Sequence, residues 1–202
     1  METLSPERIY ISYPYINESI KKHLLRYEFA TQFAHGRCLD CACGSGYGSV
    51  MLSGKCTDVI GADISDEAIS YATKQNARAN ITYLVNGITT LYFPENHFDS
   101  IVSLETLEHI SSDFVTEFFK NVKKILKPNG VFVCSTPMLR YKDGQPYVTS
   151  PYHINEMPRE RFEALLYGVF NGYWMHLYHQ KDGYFLPLQD ETTGFCIAVI
   201  SG

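Results

Sequence analysis

LDCACGSGYG, residues 39–48, is a short apolar strand pattern that runs directly into a glycine-rich loop. A second strand pattern, over residues 57–63, ends on Asp63. In a doubly wound α/β sheet, ligands bind beyond the carboxyl ends of the strands, where glycines let the backbone come close and a helix N-terminus favours an anion. A carboxylate at the end of the second strand can accept hydrogen bonds from both hydroxyls of a ribose. Together the two stretches indicate a nucleoside cofactor.

Strand and helix patterns alternate up to residue 135, which is typical of a parallel sheet with right-handed crossovers and helices on both faces. We predict strands over residues 37–40, 57–63, 81–85, 98–104, 130–134, 172–180 and 194–200. The last two would pair antiparallel at the edge of the sheet and be joined by a long turn over residues 181–193. Helices are predicted over residues 14–34, 112–126 and 159–167, with a short helix after Gly48 to about Ser53 and a further helix capped by Ser65.

The predicted fold is therefore one α/β domain, doubly wound, with a mostly parallel seven-stranded sheet whose last strand is antiparallel. Residues 1–36 form an N-terminal helical cap, residues 37–136 the cofactor-binding half, and residues 158–202 the final helix and edge strands. Residues 137–157 contain four proline or glycine breakers and no clear period, which is typical of a lid or a functional loop. We expect this lid-like insertion to be the acceptor loop.

Composition excludes several classes of protein. Hydrophobic residues make up 45% and charged residues 19%, so the chain is neither disordered nor fibrous. The net charge of -5 gives no overall attraction to nucleic acid or to anionic membranes. Residues 1–15 lack the layout of a signal peptide, and the apolar runs are too short to cross a bilayer. We expect a cytoplasmic protein with free thiols and without nucleic-acid or membrane partners; a homodimer is left open.

The glycine spacing argues against a nicotinamide cofactor. The dinucleotide fingerprint is G-x-G-x-x-G, but here the third glycine comes one place early, at Gly48, and Ser49 stands at the expected position. Asp40, just before the loop, would repel a pyrophosphate. Both departures disfavour a nicotinamide oxidoreductase, which stays a rival hypothesis.

Four segments, in order, resemble the motifs of class I S-adenosylmethionine-dependent methyltransferases. They are residues 39–48, GADIS over 61–65, FDSIVSLETLEHI over 98–110 and LKPNGVF over 126–132. The resemblance covers residues 37–136 and implies S-adenosylmethionine as cofactor. It also implies the cofactor-binding residues Arg26, Cys41, Gly44, Ser45, Gly46, Asp63, Ile64, Asn86, Gly87 and Glu105.

The resemblance implies a role for each of these residues. The loop backbone around Gly44 would hold the methionine part of the cofactor, Asp63 the ribose, and Ile64 would pack on the adenine. Asn86, or backbone near Gly87, would contact the adenine amino group, and Glu105 would lie near the sulfonium. The N-terminal helix is similar to those of bacterial methyltransferases that act on sugars and other small metabolites. Arg26 in that helix would bind the cofactor carboxylate, with a surface ion pair as the alternative.

His109 and His153 are the candidate catalytic residues. Methyl transfer requires alignment of the acceptor and, for a hydroxyl or ammonium group, removal of a proton, for which histidine is the usual base. SPYHINE, residues 150–156, resembles an N-P-Y-H-V-type segment of the same small-molecule enzymes. The alternative for His153 is a structural histidine bonded to backbone.

Two groups of residues could bind a metal, although we predict no metal. Glu105, Glu108 and His109 form E-x-x-E-H, which also occurs in ubiquinone-biosynthesis O-methyltransferases in association with a divalent metal; a hydrogen-bond brace is the alternative. Cys38, Cys41 and Cys43 resemble part of a zinc set, but no matching second pair follows them.

The predicted function is transfer of a methyl group from S-adenosylmethionine to oxygen or nitrogen of a small molecule, with a sugar or nucleotide-sugar favoured by the resemblance. Aromatic residues reach 14%, and many of them lie outside the cofactor loops, which suits an acceptor pocket. The alternatives are a quinone-like or phenolic acceptor, a macromolecular acceptor, and an S-adenosylmethionine-binding protein without catalysis.

Overall fold

The computed structural model describes residues 9–10, 17–90, 92–148, 150–189 and 194–202. Its helices are α1 (Glu18–Thr31), α2 (Tyr47–Ser53), α3 (Asp66–Gln75), α4 (Ser112–Ile125) and α5 (Arg159–Val169). Its strands are β1 (Arg37–Cys41), β2 (Asp58–Asp63), β3 (Ile81–Val85), β4 (Phe98–Leu104), β5 (Leu126–Pro137), β6 (Arg140–Lys142), β7 (Gln145–Tyr147), β8 (Trp174–Lys181), β9 (Tyr184–Pro187) and β10 (Phe195–Ser201). None of these helices combines the length and the apolar character needed to cross a bilayer.

The main sheet has the order β3-β2-β1-β4-β5-β10-β8-β9. Strands β1 to β5 pair in parallel, whereas β10 runs antiparallel to both β5 and β8. The predicted doubly wound, mostly parallel sheet with an antiparallel last strand is confirmed. The strand order reverses between β1 and β4, and this switch point is where an open α/β sheet forms its ligand crevice.

Among the described residues the sheet has eight strands, so the predicted count of seven is wrong. The predicted long turn contains β9, which pairs with β8 through a two-residue turn at Asp182 (φ 48°) and Gly183 (φ 85°). Two successive residues at positive φ make the tight turn that matches the twist of a hairpin. Because β9 occupies the edge, the β8–β10 pair lies one strand further inside than predicted.

Three predicted boundaries also change. Helix α1 begins at Glu18, where the Asn17 side chain accepts a hydrogen bond from the backbone N–H of Ile20; residues 14–16 of the predicted helix lie outside the described part. Residues 127–130, predicted as a turn, lie within β5, and the β4–β5 register shifts beside them. The 137–157 stretch contains a short hairpin, β6–β7, with its turn at Asp143 and Gly144.

Helices cover the sheet on both faces, as predicted. Helices α1 and α2 bury Tyr27 and Leu52 on one face, and α4 and α5 bury Phe118 and Phe162 on the other. Strand β1 shows why both layers are required. Its neighbouring residues Cys38 and Leu39 point to opposite cores, and both are fully buried. A parallel strand buried on both sides is apolar at consecutive positions rather than alternating.

Candidate active site

Two adjoining cavities lie at the carboxyl ends of β1, β2 and β4. The smaller, of about 340 Å³, is lined by Arg26 and the glycine-rich loop; the larger, of about 620 Å³, is lined by Asp63 and Ile64. Ala42, Glu105 and His109 line both. Volumes of this order are typical of small-molecule sites. The sheet thus brings the predicted cofactor loop, the predicted ribose acid and the predicted catalytic region to one crevice.

The backbone bends sharply at both strand ends that border the crevice. Ala42 (φ 61°), Gly44 (φ 55°) and Gly46 (φ 83°) adopt left-handed conformations in the loop after β1, and Glu105 (φ 54°) does so after β4. A positive φ at a residue other than glycine is uncommon and tends to occur at functional sites. Ala42 was not among the predicted site residues, because nothing in its residue type marks it.

Asp63 fastens the glycine-rich loop to the end of β2. Its Oδ2 accepts a hydrogen bond from the Gly44 N–H at 2.8 Å, and its Oδ1 accepts one from the Ser65 N–H at 2.9 Å. The neighbouring Ile64 side chain is 78% exposed and lines the larger cavity. An exposed isoleucine beside a carboxylate suits a nucleoside. The apolar side chain can pack on the adenine and the carboxylate can bind the ribose hydroxyls, as the resemblance implies.

Asp40 does not reach the crevice. It is fully buried, and it accepts hydrogen bonds from the Tyr27 hydroxyl at 3.0 Å and from the Ser49 hydroxyl at 2.6 Å. Burial raises the pKa of Asp40 to about 6, although the two hydroxyls act in the opposite direction. Its contacts make it a link between α1, β1 and α2.

Arg26 is buried, so the surface ion pair considered for it is wrong. Its Nη1 donates to Gln180 Oε1 at 2.6 Å, its Nε lies 3.5 Å from Glu105 Oε1, and its guanidinium stacks 4.1 Å from the centre of the Phe195 ring. Glu105 in turn accepts a hydrogen bond from the Ser135 hydroxyl at 2.7 Å. Arg26 is therefore held as a buried cation at the wall of the smaller cavity.

Some predicted cofactor residues lie beside the cavities rather than on their walls. Cys41 is buried below the loop, and burial raises the pKa of its thiol. A side chain at Gly46 would collide with Ala72 and Tyr83, so this glycine allows α2 to pack closely. Asn86 donates its backbone N–H to Asp63 O at 2.9 Å.

Gly87 and Ser45 lie at different cavities. A Cβ built at Gly87 would lie 3.7 Å from the Ile64 side chain, next to the larger cavity. Ser45 lines the smaller cavity, and its hydroxyl donates to the carbonyl oxygen of Ile9. Both positions stay predictions as ligand contacts.

The two predicted catalytic histidines come together at the smaller cavity. His109 ends a single 3-10 turn after β4, and its ring packs edge-on against that of His153 with 5.1 Å between the centres. His153 Nδ1 lies 2.6 Å from Glu156 Oε1, and the Glu156 side chain is fully buried. The alternative of a ring bonded to backbone is therefore replaced by a histidine–carboxylate pair, which leaves the second ring nitrogen for other chemistry.

Glu108, His109 and His153 each offer one ligand atom within 4.8 Å of the others. Glu108 is fully buried; its Oε2 accepts from the Thr136 hydroxyl at 3.2 Å, and its Oε1 has no hydrogen-bond partner among the residues that the structure describes. Burial, and then the charge of Glu105, raise the pKa of Glu108. Two histidines and one carboxylate suit a divalent transition-metal ion.

The composition of this trio differs from the sequence alternatives, because His153 takes the place of Glu105. Among the described residues this trio is the only group of three potential metal ligands close enough to hold one ion, so Cys38, Cys41 and Cys43 do not form such a group. All six cysteines are buried free thiols, as predicted.

His23 and Tyr47 also line the smaller cavity, and neither was predicted. The Tyr47 hydroxyl hydrogen-bonds His23 Nδ1. Burial and the nearby Arg26 charge lower the pKa of His23 to about 3, so it is neutral near pH 7. The available signal was helical spacing, because Ser19, His23 and Arg26 fall on one side of α1.

Comparisons with known proteins find similarity to methyltransferases, in agreement with a cofactor-binding crevice at this place. Residues 39–134 match the family model of a methyltransferase domain. The chain is 26% identical over 170 residues to the "Probable S-adenosylmethionine-dependent methyltransferase" of Mycolicibacterium smegmatis, covering 77% of this chain and 64% of that protein. It is 32% identical over 126 residues to the ubiquinone biosynthesis O-methyltransferase of Rickettsia bellii, covering 60% of this chain and 48% of that protein. The chain thus spans less than two thirds of each relative.

Among solved structures, an S-adenosylmethionine dependent methyltransferase from Mesorhizobium loti superposes with a TM-score of 0.66. The match covers 90% of this chain and 98% of that one at 18% identity, so it is a likeness of fold.

Proposed function

We propose that this chain, which carries the methyltransferase domain of the class I S-adenosylmethionine-dependent family, transfers a methyl group from S-adenosylmethionine to oxygen or nitrogen of a small-molecule acceptor. One observation carries the proposal. The glycine-rich loop, Asp63 and Glu105 border two adjoining cavities at the switch point of the sheet, and the candidate base lies in the same crevice.

The chemistry of the two cavities fits S-adenosylmethionine. The larger cavity offers a carboxylate, Asp63, beside an exposed apolar side chain, Ile64, which suits a ribose and an adenine. The smaller offers the Arg26 guanidinium for a carboxylate and Glu105 for a cation. When bound, S-adenosylmethionine supplies an electrophilic methyl group.

The protein's own part in the reaction is to align the acceptor, exclude water and remove a proton. In our proposal His153 takes the proton from the acceptor through its second ring nitrogen. Glu156 positions the His153 ring through the 2.6 Å contact with Nδ1, as the third member of an acid–base arrangement does. His109, packed edge-on against His153, limits the orientation of that ring.

We favour a sugar or nucleotide-sugar acceptor on the resemblance of the N-terminal helix and of residues 150–156, and we expect the reaction to take place in the cytoplasm. A phenolic, quinone-like acceptor is the second candidate. The ligand trio Glu108, His109 and His153 favours it, because a divalent ion could hold the oxygens of such an acceptor. Dependence of turnover on added Mg²⁺ or Zn²⁺, lost in Glu108→Gln, would select the second candidate.

The direct test measures release of S-adenosylhomocysteine with a panel of sugars, nucleotide-sugars, phenols and amines. We expect turnover with one of these classes, and saturable binding of S-adenosylmethionine by calorimetry. Binding without turnover on every class would favour a non-catalytic role. Absence of S-adenosylmethionine binding would overturn the proposal.

A further inference from the structure

A third cavity, of about 310 Å³, lies beside the candidate active site. It is lined by residues from four parts of the chain: Lys22 of α1, Arg140 of β6, Gln180 and Lys181 at the end of β8 with Asp182 of the following turn, and Phe195 of β10. Arg140 belongs to the stretch over residues 137–157 that we predicted to be the acceptor loop. We call this space the basic cavity, because Lys22, Arg140 and Lys181 on its wall are cations. Its lining residues are distant from one another in the sequence.

The charge of the basic cavity is opposite to that of the whole chain. Counted over the described lining residues alone, three cations, Lys22, Arg140 and Lys181, face one carboxylate, Asp182, which gives a formal charge of +2 in a protein of net charge -5. Among the described residues none of these three cations forms an ion pair. Arg140 Nε is buried and has no hydrogen-bond partner within the described part of the chain. A buried guanidinium N–H without an acceptor is costly, so it points to a ligand that supplies one.

The basic cavity adjoins the smaller active-site cavity. Phe195 lines both spaces, and Gln180, on the wall of the basic cavity, accepts the hydrogen bond from Arg26 on the wall of the other. Helix α1 runs along both: Ser19, His23 and Arg26 face the active site, and Lys22, on the same side of the helix, faces the basic cavity. The two spaces therefore lie side by side, within the reach of one extended molecule.

We infer that the acceptor carries a phosphate group, which binds in the basic cavity to Arg140, Lys22 and Lys181 while the methylated atom lies near His153. This rests on the proposed function, and it narrows the acceptor to phosphorylated small molecules, including nucleoside diphosphate derivatives. A phosphate monoester carries about -1.5 to -2 charges near pH 7, which matches the cavity better than a single carboxylate does. Arginine also matches phosphate oxygens with paired N–H donors.

The test titrates the full chain with inorganic phosphate, and with acetate as the singly charged probe, by calorimetry at fixed ionic strength. We expect saturable phosphate binding that is at least about tenfold weaker in Arg140→Gln and in Lys181→Gln, because each removes a charge-assisted hydrogen bond. Lys120→Gln, an exposed lysine on α4, is the matched control and should bind as the unaltered chain does. Equal affinity in all variants, or no saturable phosphate binding, would overturn the inference.

A second arm compares each sugar with its phosphate ester and its nucleoside diphosphate form in the S-adenosylhomocysteine release assay. The phosphorylated forms should be preferred, and Arg140→Gln should abolish the preference while leaving S-adenosylmethionine affinity unchanged. If S-adenosylmethionine binds and the preference is absent, the inference alone fails. If S-adenosylmethionine does not bind, both the proposed function and the assignment of a phosphorylated acceptor are wrong. The phosphate titration then still tests whether the basic cavity binds an anion.

Discussion

Asp63 holds the glycine-rich loop and the start of α3 through two backbone amides, and it borders the larger cavity. We expect Asp63→Asn to bind S-adenosylmethionine about tenfold to a hundredfold more weakly, because hydrogen bonds to a charged acceptor contribute about 1.5–3 kcal/mol. Asparagine keeps the shape of the side chain but has only one acceptor oxygen, so it can keep only one of the two backbone hydrogen bonds, and part of the weaker binding will come from the loosened loop. Calorimetric titration measures the effect, with Asp66→Asn, an exposed acid of α3, as control. Unchanged affinity in Asp63→Asn would mean that another group binds the ribose.

Variants of His153 and Glu156 can separate the role of the base that takes the proton from the role of the residue that positions this base. We expect His153→Ala to lower kcat by about a hundredfold to ten-thousandfold, the usual contribution of a general base, with S-adenosylmethionine affinity unchanged. Glu156→Ala should lower kcat less and leave KM nearly unchanged, because the histidine remains but its ring is no longer held. His35→Ala, an exposed histidine elsewhere, is the control. Full turnover in His153→Ala would remove it as the base.

Residues of the candidate site differ in how far sequence could identify them. Asp63 was predictable, because a strand pattern ending in an acid carries its own signal. The surroundings of Arg26 were not, because its partner Gln180 is 154 positions away and only the assembled sheet brings them together. Glu156 was overlooked for a similar reason: an acid three residues after a histidine is ordinary until burial shows that the two are paired.

Helices α1 and α2 meet at Gly48. A Cβ at this position would lie 2.1 Å from the Tyr27 ring, closer than atoms can approach. We expect Gly48→Ala to lower the free energy of unfolding by about 1–3 kcal/mol, the usual effect of overpacking a core. Gly168→Ala in α5 meets no atom within 4 Å, so it should be neutral or stabilising. Urea unfolding of both variants measures the difference, and equal effects would show that the helix contact is not tight.

Asp40 joins three elements and makes their association depend on pH. Its pKa is raised from 3.8 to about 6 in the folded chain, so ionisation between those values favours unfolding. A shift of this size corresponds to about 3 kcal/mol, which is absent below pH 4 and complete above pH 6. As pH rises from 4 to 7.5, the unaltered chain should lose stability relative to Asp40→Asn by about this amount. Urea unfolding at the two pH values tests it; a difference independent of pH would contradict a raised pKa.

Two hairpins show where element prediction failed. Asp-Gly pairs occur at residues 143–144 and 182–183, and both form the turns of β-hairpins. The Asp-Gly dipeptides could be recognised in the sequence as turn signals. Strand β9 has only four residues and ends in proline, so its own strand pattern is weak. Its existence depends on pairing with β8, a contact that local periodicity does not contain.

At the scale of the molecule, motif order was sufficient to predict the doubly wound sheet, because each βα unit carries its own pattern and the crossover hand is fixed. The net charge, in contrast, gave no indication of the basic cavity. The value of -5 excludes a basic surface overall, yet Lys22, Arg140 and Lys181 converge in one cavity. Charge summed over a chain says nothing about where folding collects it.

The crevice receives residues from α1, the loop after β1, β2, β4 and β10, so a ligand bound there should stabilise the whole domain rather than one element. At a free concentration of 100 times its Kd, S-adenosylmethionine should raise the free energy of unfolding by about 2.7 kcal/mol. NADH at the same concentration should give no increase, because the loop departs from the dinucleotide fingerprint at Ser49. Asp63→Asn at the same concentrations should show a smaller increase, since its site is less occupied. Urea unfolding with each ligand measures all three, and stabilisation by NADH with none by S-adenosylmethionine would identify the crevice as a nicotinamide site.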